Sequence, residues 1–143
     1  MELTTKRAFN LSSRLVMLIG IISCALGVAF GAFGAHGLKQ ILSPGSLEIY
    51  QTGVDYQMWH SLALILIGLS FQPMPASRLL TMSARFMLSG IILFSGSLYL
   101  LAISATPWLG MITPFGGLSF LIAWILFAIA IVKSPISGHQ DDR

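Results

Sequence analysis

The sequence predicts an all-α integral membrane protein, a four-helix bundle with the N and C termini both cytoplasmic, built as a single transmembrane domain over residues 1–143. Three observations support this fold class. Of the 143 residues, 55% are hydrophobic and only 9% are charged, whereas a soluble domain carries about 25% charged residues because its surface faces water. Apolar runs of about 20 residues, the length that crosses a hydrocarbon core, recur along the chain. The basic residues cluster on alternate connections between these runs.

Three of the four predicted membrane helices are clear from composition. They cover residues 15–35, 84–105 and 112–132. Arg85 lies at the leading edge of the third helix of the chain. Pro114 lies in the first turn of the fourth, where its missing amide proton costs no helical hydrogen bond. Residues 1–13 and 134–143 are predicted to be short polar tails.

The second helix is the least clear, because its purely apolar part, residues 61–71, is too short to cross a bilayer. We predict a helix over residues 47–71, in which residues 54–60 extend that part, with Ser43 as a candidate cap if the helix begins slightly earlier. The charge distribution supports this crossing. Seven of the eight basic residues then lie on one side and only Lys39 on the other, as the positive-inside rule requires of four spans.

Composition and motifs also narrow the classes of function. The basic residues are too few and too scattered to form a phosphate-binding stripe, so we expect no nucleic-acid partner. The single cysteine, Cys24, excludes an intrachain disulfide and paired thiolate ligands. The chain contains no nucleotide-binding loop, zinc-protease motif or nucleophile elbow. We therefore expect no catalytic residues, no metal and no cofactor, and the lipid bilayer is the partner that composition requires.

Small residues recur at every fourth position of the first helix and form a smooth stripe on its surface: Ser23, Gly27, Gly31 and Ala35. In lipid, such a stripe promotes helix association, because the backbones approach closely and gain van der Waals contact. One interpretation is a contact between copies of the chain. The other, which we favour, is a helix crossing within the bundle, with Gly116 and Gly117 of the fourth helix as candidates for the opposing surface.

Polar residues concentrate around the connection between the first and second helices. The candidate functional cluster consists of His36, Glu48, Asp55, Tyr56, Gln57 and His60. In a helix, Glu48, Tyr56 and His60 share one face because they are separated by multiples of four residues. Asp55 lies about 140° around the helix from His60, so these two cannot easily hold one ion together. His36 would have to complete any such site from across the loop.

This cluster has a functional and a structural interpretation. Imidazole titrates near pH 6.5 and coordinates divalent ions, so His36, His60 and a carboxylate could form a proton relay or a metal site. Alternatively, the same side chains form hydrogen bonds at the membrane interface and fix the outer rim of the bundle. We favour the structural interpretation over a metal site. A polar functional role stays open, because ionisable groups within a membrane point to function by default.

Four segments carry a resemblance to a known family: GAFGAHGLK at 31–39, YQTGVDYQ at 50–57 with His60, FSGSLY at 94–99 and TPFGGLSF at 113–120. Together they resemble a widespread family of small bacterial inner-membrane proteins of unknown function, which has a eukaryotic transmembrane relative. The resemblance implies four transmembrane helices and a multi-pass protein of the bacterial inner membrane, and it supplies no activity. The chain departs from the family pattern at Ala123, where glycine is usual before the fourth-helix tryptophan, and this bears on the tightness of one helix crossing.

Two functional hypotheses follow, with a third and weaker one. The first is a non-enzymatic membrane protein that acts by lateral helix association, as a homo-oligomer or as an accessory subunit of a larger membrane complex. The alternative is a small transporter or channel in which His36, His60 and an outer carboxylate admit protons or a small cation. Against this, the first helix has no carboxylate deep within it, as small multidrug exporters require. The third is an enzyme that acts on lipid with His60 as its base, which nothing in the spacing demands.

Overall fold

The chain folds into helices joined by short connections, and the computed structural model describes residues 11–74 and 77–134. The α-helices are α1 Leu11–His36, α2 Pro44–Ser70, α3 Arg78–Gly90, α4 Gly96–Ser104 and α5 Thr113–Val132. A π-helical turn, Ile91–Ser95, joins α3 directly to α4, so these elements form one long rod. Short 3-10 helices, Leu38–Gln40 and Pro107–Met111, precede α2 and α5. The predicted all-α arrangement of four long helical segments is confirmed.

Two helices begin earlier than hydropathy predicts, because capping side chains define their first turns. The hydroxyl of Ser43 accepts a hydrogen bond from the amide of Ser46 at 3.2 Å, so α2 begins at Pro44. Proline is tolerated there because the first helical amides have no partner within the helix. In the same way, Ser77 caps α3, which begins at Arg78, before the apolar run from which the third helix was predicted. Hydropathy misses such polar first turns.

The beginning of α1 corrects the predicted N-terminal tail. Leu11 to Ser13 are helical, and Ser13 is only 1% exposed. Its hydroxyl donates a hydrogen bond to the carbonyl of Gly68 in α2 at 2.7 Å. Ser13 therefore belongs to the packed part of the protein, because its hydroxyl joins α1 to α2. The remaining residues of the two predicted tails, 1–10 and 135–143, lie outside the described residues.

The helices α1 and α2 form a closely packed antiparallel pair. A Cβ added at Gly34 would lie 2.8 Å from the ring of Tyr50, and one added at Gly31 would lie 3.3 Å from Cγ1 of Val54. Gly27 lies in the same way against Met58. Glycine thus permits the short distance between the two backbones, because any larger side chain would push them apart. Within this chain, the small-residue stripe of α1 faces α2.

The rod of α3, the π turn and α4 packs against α5. The hydroxyl of Ser83 donates a hydrogen bond to the carbonyl of Ala123 at 2.8 Å, and Ala123 is fully buried. Alanine is therefore accommodated where the family usually has glycine. Gly116 lies against the backbone of Phe94, and Gly117 lies near the ring of the same residue. The two glycines thus face the rod, and their predicted role opposite the stripe of α1 is wrong.

The helices are arranged in a row in which each packs mainly on its neighbour. The long contacts join α1 to α2, α2 to the rod, and the rod to α5. Two grooves result, one between α1 and α3 over Leu64 and Phe71, and one between α2 and α5. Because neighbouring helices are antiparallel, Arg14, Arg78 and Lys133 lie at one end of the row. In this arrangement, polar and aromatic residues meet in the groove between α2 and α5.

Within the described residues, three helical segments are long and apolar enough to cross a membrane by length and composition. They are Ser12–Gln40, Arg78–Ser104 and Pro107–Val132. The helix α2 is long enough but not apolar enough to be counted with them, because polar residues such as Asp55 and Gln57 occupy its first half. Its 27 residues nevertheless make it about 40 Å long, and it lies beside α1 over most of that length. The polar residues of α2 are therefore held among membrane helices.

Replacing Gly116 with alanine is expected to lower the free energy of unfolding by about 1–3 kcal/mol, as overpacking does, because the added methyl group would overlap the backbone of Phe94. The matched control is Gly96→Ala, whose added methyl group meets nothing within 4 Å. That variant should be neutral or gain up to about 1 kcal/mol, since alanine favours the helix. Denaturant unfolding in detergent micelles, followed by far-UV circular dichroism, measures both. Equal transition midpoints would contradict the packing of α5 on the rod.

Candidate functional site

A buried polar network joins three helices at Gln57. This side chain is 4% exposed and lies between α1 and α4. Its Nε2 donates a hydrogen bond to the carbonyl of Ser23 at 2.8 Å, and its Oε1 accepts one from the hydroxyl of Tyr99 at 2.7 Å. The hydroxyl of Ser61 adds a bond to Oγ of Ser23 at 2.6 Å. A polar amide in this position is tolerated because both of its ends are hydrogen-bonded.

Aromatic residues surround this network on the side of the loop between α1 and α2. The hydroxyl of Tyr50 donates a hydrogen bond to the carbonyl of Phe30 at 3.0 Å. The ring centroids of Tyr50 and Tyr99 are 5.0 Å apart, and Gly53 allows the ring of Tyr99 to approach α2. Tyr99 and Ser61 lie outside the predicted cluster. In the sequence, Tyr99 is marked only by its place in the FSGSLY segment, and nothing in the sequence marks Ser61.

The predicted polar cluster divides into separate parts. His36, Glu48 and Asp55 are exposed toward the end of the helices at the loop between α1 and α2, and Oδ1 of Asp55 accepts a hydrogen bond from Nε2 of Gln51 at 2.9 Å. Gln57 belongs to the buried network, whereas Tyr56 and His60 line the groove between α2 and α5. Among residues 11–74 and 77–134, no three histidine, cysteine or acidic side chains are close enough to hold a metal ion. The six residues therefore do not form one site.

The groove between α2 and α5 contains the one histidine of the cluster that is buried. We call it the His60 groove, and it is lined by Tyr56, Trp59, His60, Phe94, Gly117, Phe120, Leu121 and Trp124. Its volume is about 520 Å³, within the range of small-molecule sites. His60 is 9% exposed, and its Nδ1 lies 2.7 Å from the carbonyl oxygen of Tyr56, one turn earlier in α2. That bond fixes the orientation of the imidazole ring.

Three pairs of rings in the His60 groove are nearly parallel. The imidazole of His60 stacks on Phe120, with centroids 3.5 Å apart and planes at 16°. Tyr56 lies 5.6 Å from His60 at 20° and 4.3 Å from Phe94 at 23°. Trp124 presents its edge to His60 at 6.3 Å. The groove thus offers stacked aromatic rings and one polar ring, an arrangement that favours flat apolar groups.

The π turn Ile91–Ser95 lies directly beside this groove, since it supplies Phe94. Single π turns interrupt the regular hydrogen bonding of a helix and often occur at functional sites. Within the described part of the chain, Oγ of Ser95 is the buried side-chain polar atom that lacks a hydrogen-bond partner. Ser95 is 1% exposed. The π turn therefore gives the rod an irregular segment where α2 and α5 both pack against it.

The groove and the network lie at the level of the middle of α1. Gln57 bonds to Ser23, and Ser61, next to His60, bonds to the same residue. Ser23 is near the centre of the apolar segment Ser12–Gln40. A row of apolar helices that encloses a hydrogen-bonded amide and a histidine at this depth defines an integral membrane protein with a polar centre. The composition and the fold agree on this class.

Comparison with known proteins gives the family. Residues 30–117 match the family described as a protein of unknown function, DUF423, and the chain belongs to this family. The chain is 39% identical to the UPF0382 membrane protein YwdK of Bacillus subtilis over 120 residues, which are 84% of this chain and 98% of that protein. It is 37% identical to the UPF0382 inner membrane protein YgdD of Escherichia coli K12 over 128 residues, 90% and 97% of the two chains. No solved structure matches it. The predicted resemblance to a family of small bacterial membrane proteins of unknown function is confirmed.

Replacing Tyr99 with phenylalanine is expected to lower the free energy of unfolding by about 1–3 kcal/mol, because Oε1 of Gln57 would be buried without a donor. The matched control is Tyr56→Phe, since the hydroxyl of Tyr56 makes no hydrogen bond within the described residues, and it should change stability by less than about 0.5 kcal/mol. In a Gln57→Leu background the effect of Tyr99→Phe should largely disappear. A double-mutant cycle of unfolding in micelles measures this coupling. Additive effects would show that the amide and the hydroxyl do not interact.

Proposed function

We propose that this protein acts by lateral helix association in the bacterial inner membrane, as a non-enzymatic homo-oligomer that uses the outward face of α2. A role as an accessory subunit of a larger membrane complex would use the same face. The observation that carries the proposal is the position of Asp55, an ionisable residue that is exposed on a helix held among membrane-spanning segments.

The contacts of α2 define the depth of Asp55. Its neighbour Val54 packs against Gly31, which is five residues before the end of α1 at His36. At 1.5 Å per residue, Asp55 therefore lies about 7 Å inside that end of the helix. An aspartate at such a depth is costly when it faces lipid, and intramembrane acidic groups normally face another protein surface or a water-filled cavity. A single copy leaves this carboxylate exposed.

The residues on the same face of α2 have the character of an interface. Trp59 is 69% exposed one turn after Asp55, and Leu62 and Leu66 continue the stripe at 45% and 51%. In a two-fold contact this face would meet its own copy, so that Gln51 of one copy could donate to Asp55 of the other. Tryptophan at the centre of such a contact supplies a large, rigid surface. The polar pair of Gln51 and Asp55 lies beside this apolar stripe, so the face combines a directional contact with apolar area. Such a combination favours a specific association between copies.

The small-residue stripe does not support a contact between copies. Gly27 and Gly31 are already occupied by Met58 and Val54 of α2 in the same chain. The outward face of α2 is the better candidate, because it combines exposure with polar groups that lipid cannot satisfy. The proposed association therefore lies on a different helix from the one that carries the small-residue stripe.

The membrane and orientation form part of the proposal. The relative in Escherichia coli is named an inner membrane protein. Arg14, Arg78 and Lys133 lie at one end of the helices, where the positive-inside rule would place the cytoplasm, and Lys39 lies at the other. Both chain ends would then be cytoplasmic. The Asp55 end of α2 would face the periplasmic half of the bilayer.

Transport of protons or a small cation has less support from the geometry. The exposed His36, Glu48 and Asp55 are on the outer part of the protein, while His60 lies in a groove lined by aromatic rings. Gln57, between them along α2, is already held by a hydrogen bond at each end of its amide. A relay requires polar groups within hydrogen-bond reach of each other. We therefore do not advance transport as a second proposal.

Cysteine crosslinking in native membranes is the direct test of the proposed interface. In a Cys24→Ser background, single cysteines at Trp59, Leu62 and Leu66 should give dimers on mild oxidation. Cysteines at Leu118 and Ile125 of α5, which are similarly exposed at 55% and 59%, are the matched controls and should give much less. Dimer yields no higher on α2 than on α5, together with a monomeric mass in micelles and no crosslinked partner of another kind, would rule out the proposal.

Replacement of Asp55 with leucine separates an interface from a lipid-facing surface. If Asp55 is covered by a second copy, Asp55→Leu should reduce the crosslinking of Leu62→Cys by about tenfold, the loss expected for one good polar contact. Glu48→Leu, seven residues nearer the start of α2, is the control and should change the yield little. An Asp55→Leu variant that crosslinks as well as the unaltered residue would show that the carboxylate has no role between copies.

A further inference from the structure

The His60 groove has a feature that neither packing nor lateral association uses. It is open on one side of the protein, between α2 and α5, and His60 and Phe120 form its floor. His60 is the buried ionisable residue of this groove, and the hydrogen bonds of the described residues use only one of its ring nitrogens. A buried ring nitrogen without a hydrogen-bond partner is costly in an apolar medium.

The bond to Tyr56 determines which chemistry the free nitrogen offers. A backbone carbonyl can only accept, so Nδ1 of His60 must carry the proton of their 2.7 Å contact. In the neutral ring, Nε2 is then a bare acceptor. The fully buried unpaired atom within residues 11–74 and 77–134 is Oγ of Ser95, so Nε2, which has no partner among these residues, is reached from the groove. The site therefore calls for a hydrogen-bond donor.

Lipid cannot supply that donor at this depth. Acyl chains have neither donors nor acceptors, and the ester groups of phospholipids only accept hydrogen bonds. The walls add a second requirement, since they are formed by the aromatic side chains of Tyr56, Phe94, Phe120 and Trp124. Flat rings pack on such walls by stacking or edge contact. A hydroxyl on an aromatic ring satisfies both requirements at once.

Space for such a ring is provided by Gly117. A Cβ added there would lie 3.8 Å from the ring of Phe94, so the position is open without being strained. The groove volume of about 520 Å³ exceeds what a single substituted ring fills and leaves room for part of an alkyl tail. The π turn, which sets the position of Phe94, forms the wall opposite His60.

We propose that the His60 groove binds a membrane-soluble phenol or hydroquinone, whose ring packs among the aromatic side chains and whose hydroxyl donates a hydrogen bond to Nε2 of His60. The tail of such a molecule extends from the open side of the groove into the surrounding lipid. This binding goes beyond lateral association. It depends on His60, Phe120 and Gly117, whereas the proposed interface depends on Asp55, Leu62 and Leu66, and Trp59 borders both surfaces. Variants of His60 and Gly117 test the binding, and variants of Asp55 test the association.

The test compares two probes that differ only in the donor. The full chain, with Trp108→Phe to remove the tryptophan outside the groove, is placed in phosphatidylcholine nanodiscs. Ring-brominated 4-decylphenol and its methyl ether are then titrated, and quenching of Trp59 and Trp124 is followed. The phenol should quench saturably and bind about tenfold more tightly than the ether, as expected for one hydrogen bond. This comparison on a chain with the groove unaltered does not depend on the folding of any groove variant.

Two variants assign the binding to the groove. His60→Leu should abolish the tenfold preference for the phenol and leave the weaker binding of both rings. Gly117→Leu should fill the groove and abolish saturable quenching by both probes, with His60 still present. The matched control is Gly96→Leu, where an added Cβ meets nothing within 4 Å, and it should bind as the parent does. Far-UV circular dichroism of each variant confirms that the helices are retained.

Several outcomes would overturn the proposal. Quenching that rises in proportion to the probe concentration in lipid, without saturation, would show partitioning only. Equal affinity for the phenol and the ether would show that the groove does not require a hydrogen-bond donor. A tenfold preference that persists in His60→Leu would place the donor contact elsewhere. Loss of saturable quenching when the proposed dimer forms would identify the occupant of the groove as a second copy of the chain.

Discussion

The structure depends on the need to satisfy every polar group inside a membrane, where water is absent. Gln57 is the clearest case, because its amide bonds to Ser23 of α1 and to Tyr99 of α4. Without both partners, a buried amide would cost several kcal/mol in an apolar medium. The network therefore fixes the rotation of α2 between its neighbours. That rotation turns Asp55 outward and His60 toward α5.

The close approach of α1 and α2 also allows polar groups inside the membrane to be hydrogen-bonded. Glycines such as Gly31 and Gly34 let the two backbones come near enough for side chains of one helix to reach carbonyls of the other. The bond from Tyr50 to the carbonyl of Phe30 and that from Ser13 to the carbonyl of Gly68 lie toward opposite ends of the pair. Small residues and hydrogen bonds thus act together, since each bond requires the short distance that glycine permits.

The two proposals use surfaces that are not covered by helix packing within the chain. The outward face of α2 has a carboxylate with one amide partner, and the His60 groove has an aromatic lining with one unpaired acceptor. Both are polar features next to lipid, which cannot satisfy them. They lie on adjoining faces of α2 that meet at Trp59. A single polar helix within an apolar row therefore offers a protein contact on one face and a small-molecule contact on another.

The sequence by itself determined the fold class, because low charge and long apolar runs leave lipid as the only suitable surroundings. It also indicated the polar residues of α2 and the small residues of α1. Only the tertiary structure decided their partners, since a periodic pattern defines a face and not what lies opposite it. Gly116 faces Phe94 instead of α1, and Tyr99 reaches Gln57 across 42 positions of sequence. Such pairings depend on how whole helices rotate and cross, which no local pattern contains.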